Sequence, residues 1–176
     1  MTMVRLEGDG IVIRPLQAAD LDLMVEGRRR LGMEISPAGP PNREELRGRI
    51  ERSGEFHEGR IDLGIEADGR LIGDIQTYRP GDRDLPPAVY EIGVALYDRG
   101  DRGKGLGTEA VRLFVDWLFQ HGGRRVQAGT TAANPPMRRV FEKLGFRVLG
   151  DLEVEGISML LYGVTRSEWR ERRGRF

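Results

Sequence analysis

Between Arg99 and Thr108 the chain reads Arg-Gly-Asp-Arg-Gly-Lys-Gly-Leu-Gly-Thr, with a strand-like run at 89–97 before it and a helical pattern at 108–121 after it. Glycines at 103, 105 and 107 remove Cβ atoms, so successive backbone N–H groups can converge on an anion. A helix opening directly behind them adds unbonded N–H groups and the positive end of its dipole. Residues of these types at this spacing suit a pyrophosphate.

Spacing separates three phosphate-binding patterns. A P-loop needs Ser or Thr directly after its lysine, and Lys104 is followed by Gly105. A dinucleotide fingerprint needs G-x-G-x-x-G and an acid about 20 residues further on. Here the glycines run Gly103-x-Gly105-x-Gly107, and Arg124 and Arg125 stand near the place of the acid. The third pattern, R-x-x-G-x-G, is met by Arg102, Gly105 and Gly107. Downstream lies Asn134-Pro-Pro-Met-Arg-Arg-Val-Phe-Glu-Lys-Leu-Gly-Phe146, an Asn opening a helix that ends in Leu-Gly-Phe. With both signatures in this order, the chain resembles the GNAT-superfamily N-acetyltransferases from residue 11 to about 165.

The resemblance implies one α/β (α+β) N-acetyltransferase domain over residues 1–176, with its motif core at 88–146. Its sheet would be mixed and mostly antiparallel, of six to seven strands splayed at the acyl-CoA site, with about four helices. Acetyl-CoA would be the co-substrate and an amine the acceptor. Arg102, Gly103, Lys104, Gly105, Leu106, Gly107 and Thr108 would cradle the pyrophosphate. Val94, Ala95 and Leu96 match the positions where the pantetheine arm pairs with the strand, with an N–H near Leu96 facing the thioester oxygen. Asn134 resembles the Asn that bonds the pantetheine amide, and it is also well placed to cap a helix with Pro135 behind it.

An alkylammonium acceptor has a pKa of about 10, so attack requires a base. Glu91 is the candidate. It precedes Arg102 by eleven residues, a separation resembling that of the family's catalytic glutamate. Strand alternation sets Glu91, Gly93 and Ala95 on one face and Ile92, Val94 and Leu96 on the other. The chain departs from many relatives at the group that protonates the CoA thiolate: Phe141 and Met137 occupy the usual Tyr and Ser positions. Tyr90, Tyr97, Tyr162 and a water are the substitutes among which the sequence does not choose. Tyr97 is carried forward with Glu91 as a candidate catalytic residue.

The opening Ile13-Arg14-Pro15-Leu16, the run Glu142–Phe146 and the closing Ser167-Glu168-Trp169 resemble the branch that acetylates ribosomal-protein N-termini. Two other readings stay open. One is an aminoglycoside-type acceptor, for which Asp74, Asp82, Asp84 and Glu91 would offer an acidic cleft. The other is an acyl-CoA-binding module without catalysis. Stretches 31–42 and 79–87 are the expected acceptor walls.

These groups need positioning elements. A strand is expected at 11–16, then a helix capped by Asp20 and running to about Arg30, and a helix capped by Asn42. The runs 61–67 and 70–78 flank Asp68-Gly69, a primed-turn pair, and form a hairpin. In 108–121, Ala110, Val111, Phe114, Val115, Trp117 and Leu118 give a core-facing stripe. A strand at 126–130, a helix at 134–144 and an antiparallel pair at 146–154 and 157–164 follow, then a charged tail, helical near Trp169 or frayed.

Acidic and basic residues balance at 28 each, which argues against nucleic acid and anionic membrane as partners. The chain has no cysteine, and its histidines, His57 and His121, stand far apart, so no metal is expected. No signal-peptide pattern or long apolar run is evident, and a cytoplasmic location is expected. A homodimer is left open.

Overall fold

The computed structural model describes residues 3–32, 40–78 and 85–175. Among them, eight strands form a sheet ordered β1-β2-β3-β4-β5-β6-β8-β7. The strands are β1 (Leu6–Glu7), β2 (Val12–Arg14), β3 (Ile61–Ala67), β4 (Arg70–Tyr78), β5 (Val89–Leu96), β6 (Arg125–Thr131), β7 (Arg147–Val154) and β8 (Ile157–Thr165). Every neighbouring pair is antiparallel except β5 and β6. The helices are α1 (Leu21–Leu31), α2 (Arg43–Glu51), α3 (Leu106–Gln120), α4 (Pro135–Lys143) and α5 (Arg166–Arg172). The fold class is the expected one, with one short strand and one helix more than the sequence indicated.

The extra helix has a local cause. Thr165 and Glu168 make a reciprocal capping box, which starts α5, and its Trp169 is buried. Asp20 departs from expectation. It closes a 3₁₀ turn, Ala18–Asp20, and its carboxylate accepts from the Gln17 N–H (2.8 Å) and from Arg14, so it stands at the N-cap of α1 without giving that helix a side-chain bond. The Asp68-Gly69 hairpin is as expected, with both residues at positive φ.

Two apolar layers cover the sheet. On one face α3 buries Ala110, Val111, Phe114, Val115 and Leu118 against Ile92, Val126 and Ala128. On the other, Met24, Leu31 and Leu46 of α1 and α2 pack with Leu71, Ala95 and Tyr97. The alternation along β5 thus serves both layers. α1 lies so close that a Cβ at Gly27 would fall 2.3 Å from Tyr97 Cγ. Glycine there is a steric requirement.

Candidate functional site

The glycine loop is built from side chains that fix its shoulders and a backbone that is left bare. Asp98 accepts from the Gly100 N–H at 2.7 Å and holds a 3₁₀ turn, Arg99–Asp101. The buried Asp101 carboxylate accepts from both terminal nitrogens of Arg70 (2.7 and 3.1 Å), tying the loop to the β3–β4 hairpin. Gly103 and Gly105 then take φ of 73° and 81°. A Cβ at either would meet nothing within 4 Å, so backbone conformation rather than crowding requires glycine. Gly105 is the N-cap of α3 and supplies no side chain to cap it. The N–H groups of Leu106, Gly107 and Thr108 therefore open the helix without intrahelical acceptors. The helix starts at Leu106, two residues before the sequence suggested, which brings those N–H groups into the loop itself.

Beside the loop the sheet divides. β5 and β6 pair only through Val89–Arg125, Tyr90–Val126 and Glu91–Gln127. On its other edge β5 stays paired with β4 as far as Leu96 and Gly73. A Cβ at Gly73 would lie 2.1 Å from the Ala95 carbonyl oxygen, so these backbones meet only through glycine. The edge of Ile92–Leu96 that looks toward β6, including Val94, Ala95 and Leu96, carries no strand pairing. Asn134 caps α4: its Oδ1 accepts from the Met137 N–H at 3.4 Å, with Pro135 as the first helical residue. The cap uses the oxygen and leaves the amide nitrogen as a separate group.

Glu91 stands on the last shared rung, on the α1–α2 face of the sheet. It is 1% exposed, and Gln127 Nε2 donates to its Oε2 at 2.9 Å.

Further along the same face lies a network of charged groups. Asp74, fully buried, accepts from Arg28 Nε (3.0 Å) and Arg28 Nη2, from Arg49 Nη2 (2.8 Å) and from the Tyr97 hydroxyl. Arg49 Nε also donates to Asp62 Oδ1 at 2.6 Å. Burial by itself would lift the Asp74 carboxyl, but the Arg28 and Arg49 guanidiniums and the donated bonds hold it well below the usual carboxylate range. Burial, and then the charge of Asp74, push the Tyr97 hydroxyl well above its ordinary value. Two consequences bear on the sequence reading. Asp74 is enclosed by two arginines and does not line an acidic cleft. The Tyr97 proton is held by Asp74, and giving it up would leave a phenolate against a carboxylate.

The other tyrosines are also engaged. Tyr162 accepts from Arg138 Nε (3.2 Å) and donates to Glu142 Oε1 (3.1 Å), while Tyr90 packs edge-on against Phe56. Phe141 is buried against Phe146 and Tyr162. Asp82, Asp84, and the stretches 33–39 and 79–84 of the expected acceptor walls lie outside the described residues. Sequence reasoning missed Arg28, Arg49, Asp62 and Gln127. Of these, Gln127 had a signal: on adjoining parallel strands it falls in register with Glu91.

A glycine loop at the mouth of α3, beside two parallel strands that part after three rungs, defines an acyl-CoA-type transferase fold. The acetyltransferase (GNAT) domain family matches residues 11–147, and the chain belongs to that family of acetyl-CoA-dependent N-acyltransferases. It is 34% identical over 159 residues to the probable N-acetyltransferase YjcK of Bacillus subtilis (strain 168), covering 82% of this chain and 84% of that one. The fold is shared with aminoglycoside acetyltransferase AAC(6')-Ib in complex with coenzyme A and kanamycin (TM-score 0.77, 23% identity, 93% of this chain and 99% of that chain). It is shared too with the ribosomal-protein-S5-alanine acetyltransferase from Vibrio fischeri (TM-score 0.72, 19% identity, 94% and 98%). Among the described residues, no helix is long and apolar enough to cross a membrane.

Proposed function

We propose that this protein transfers acetyl from acetyl-CoA directly to a primary amine, with both substrates bound together and Glu91 as the base. The observation that carries this reading is the buried Glu91 carboxylate on the rung where β5 and β6 part. Glu91 accepts the ammonium proton, the freed amine attacks the acetyl carbonyl, and the C–S bond breaks as the nitrogen gives its second proton to solvent. A thiol pKa of about 8.5 makes the thiolate a tolerable leaving group, and solvent supplies its proton. Tyr97 belongs to the architecture under α1. A chain without cysteine offers no thiol to carry the acetyl group in between, which fits direct transfer.

Arg102, Gly103, Lys104, Gly105, Leu106, Gly107 and Thr108 hold the pyrophosphate in this reading, chiefly through backbone N–H groups, with the two cations adding charge. Val94, Ala95 and Leu96 pair with the pantetheine arm along the open edge of β5, and the Asn134 amide reaches it from α4. The acceptor is a protein N-terminus or a small-molecule amine in the cytoplasm. Neighbours of both sorts share the fold, one of them bound to kanamycin and another being a ribosomal-protein acetyltransferase.

The test is CoA release across an amine panel, beside acetyl-CoA affinity. E91Q should lower kcat on the best amine by about 10²–10⁴ while acetyl-CoA affinity stays within a few-fold. An E91Q enzyme as fast as the parent would remove Glu91 from the mechanism. The second reading, a binding module, draws on Phe141, which has no proton to give and is buried in the core. Tight acetyl-CoA binding without turnover on any amine would favour it.

A further inference from the structure

We propose that Gln127 is a positioning residue for the base: its side-chain amide fixes the direction in which the Glu91 carboxylate meets the acceptor amine. The inference rests on the reading of Glu91 as base. Glu91 and Gln127 are register partners on the last rung before β5 and β6 separate. Partners on adjoining strands project to the same face. Both side chains are nearly excluded from solvent, at 1% and 2% exposure, and Gln127 Nε2 lies 2.9 Å from Glu91 Oε2.

An ionised carboxylate accepts and cannot donate, so the amide nitrogen must face it. That bond removes rotational freedom from a side chain that must meet an amine in one direction. A glutamine does this without a proton of its own to lose, so it cannot compete with the acceptor for the base.

The groups around the pair agree. On β6, Arg125 shares a face with Gln127. Beyond Gln127 come Gly163 of β8 and then Arg147 of β7, whose charge is paired with Glu168. A Cβ at Gly163 would lie 2.5 Å from Leu149 Cδ1, so β8 offers no side chain at this position beside Gln127. Gln127 is a neutral donor in direct contact with Glu91.

The test uses Q127M, which keeps the length and loses the donor, and Q127E, which keeps the shape and adds a like charge. The readouts are the pH profile of kcat/KM for the amine, acetyl-CoA KM and melting temperature. Q127M should lower kcat/KM about tenfold across the pH profile and leave acetyl-CoA KM within about twofold. Q127E, which loses the donor and sets a second carboxylate against Glu91, should lower it at least as far. If Q127M fails to fold, Q127E carries the test alone. In an E91Q background Q127M should cost nothing more. A Q127M or Q127E profile superimposed on the parent overturns the proposal while leaving Glu91 in place. So does a Q127M loss equally large in E91Q. Full activity of E91Q itself marks the failure of the underlying reading instead, and the proposal goes with it.

Discussion

The glycine loop and the wall beneath α1 and α2 are built by opposite means. The loop that receives the pyrophosphate in our reading is backbone held in shape by a few flanking side chains, with Asp101 on Arg70 and Asp98 on the Gly100 N–H. The wall under α1 and α2 is a buried network of charges, in which Arg28, Arg49 and Tyr97 converge on Asp74. The difference teaches where each side is vulnerable. A loop made of amides loses function when its torsions change and keeps its stability. A wall made of paired charges loses stability when one member goes, because the others are left buried and uncompensated.

Substitutions break or sharpen this contrast. The largest effect belongs to D74A, which strands the Arg28 guanidinium and leaves Arg49 with Asp62 alone, and should cost about 3–5 kcal/mol in urea unfolding. Acetyl-CoA affinity of the folded fraction should be unchanged. The pH dependence follows from the same residue. Asp74 stays ionised in the folded protein well below the ordinary value of 3.8 at which the unfolded chain takes up the proton. Its contribution is therefore complete above that pH and is lost as pH falls toward the folded value. D74A should flatten the acid limb of the stability profile, and an unaltered limb would take Asp74 out of the account.

G105A comes next. Gly105 sits at φ 81°, where an L-residue costs about 1–2 kcal/mol. Relieving that cost turns the N–H groups of Leu106 and Gly107 away, and calorimetry should find acetyl-CoA bound about tenfold more weakly. The melting point should move less than in D74A. Undiminished affinity would mean that the amides of this loop are not the cradle. Smallest is Y97F, which takes one donor of several from Asp74 and should cost about 1 kcal/mol, with kcat within about threefold. A large kcat loss at unchanged stability would return Tyr97 to the chemistry.

What was legible in the sequence follows the same division. Gly103 and Gly105, the Asp68-Gly69 turn and the stripe from Ala110 to Leu118 write their roles locally, through a torsion or a period. The charged wall has no period to read: Arg28 and Asp74 are 46 residues apart, Arg49 and Asp74 25, and Glu91 and Gln127 36. Such pairs become visible only once strand order and register are fixed. Asp20 misled because an acid before an apolar helix can equally close a 3₁₀ turn onto Arg14. The start of α5 was legible in Thr165-x-x-Glu168 but masked by the charge of the tail.

One consequence of the three-rung contact between β5 and β6 reaches past catalysis. A strand border with unmated donors and acceptors is a hazard on most proteins, since it invites a neighbour to zip on. Here that border lies between two strands of one sheet. In our reading the same stickiness serves as a slot that admits a guest by its thinness.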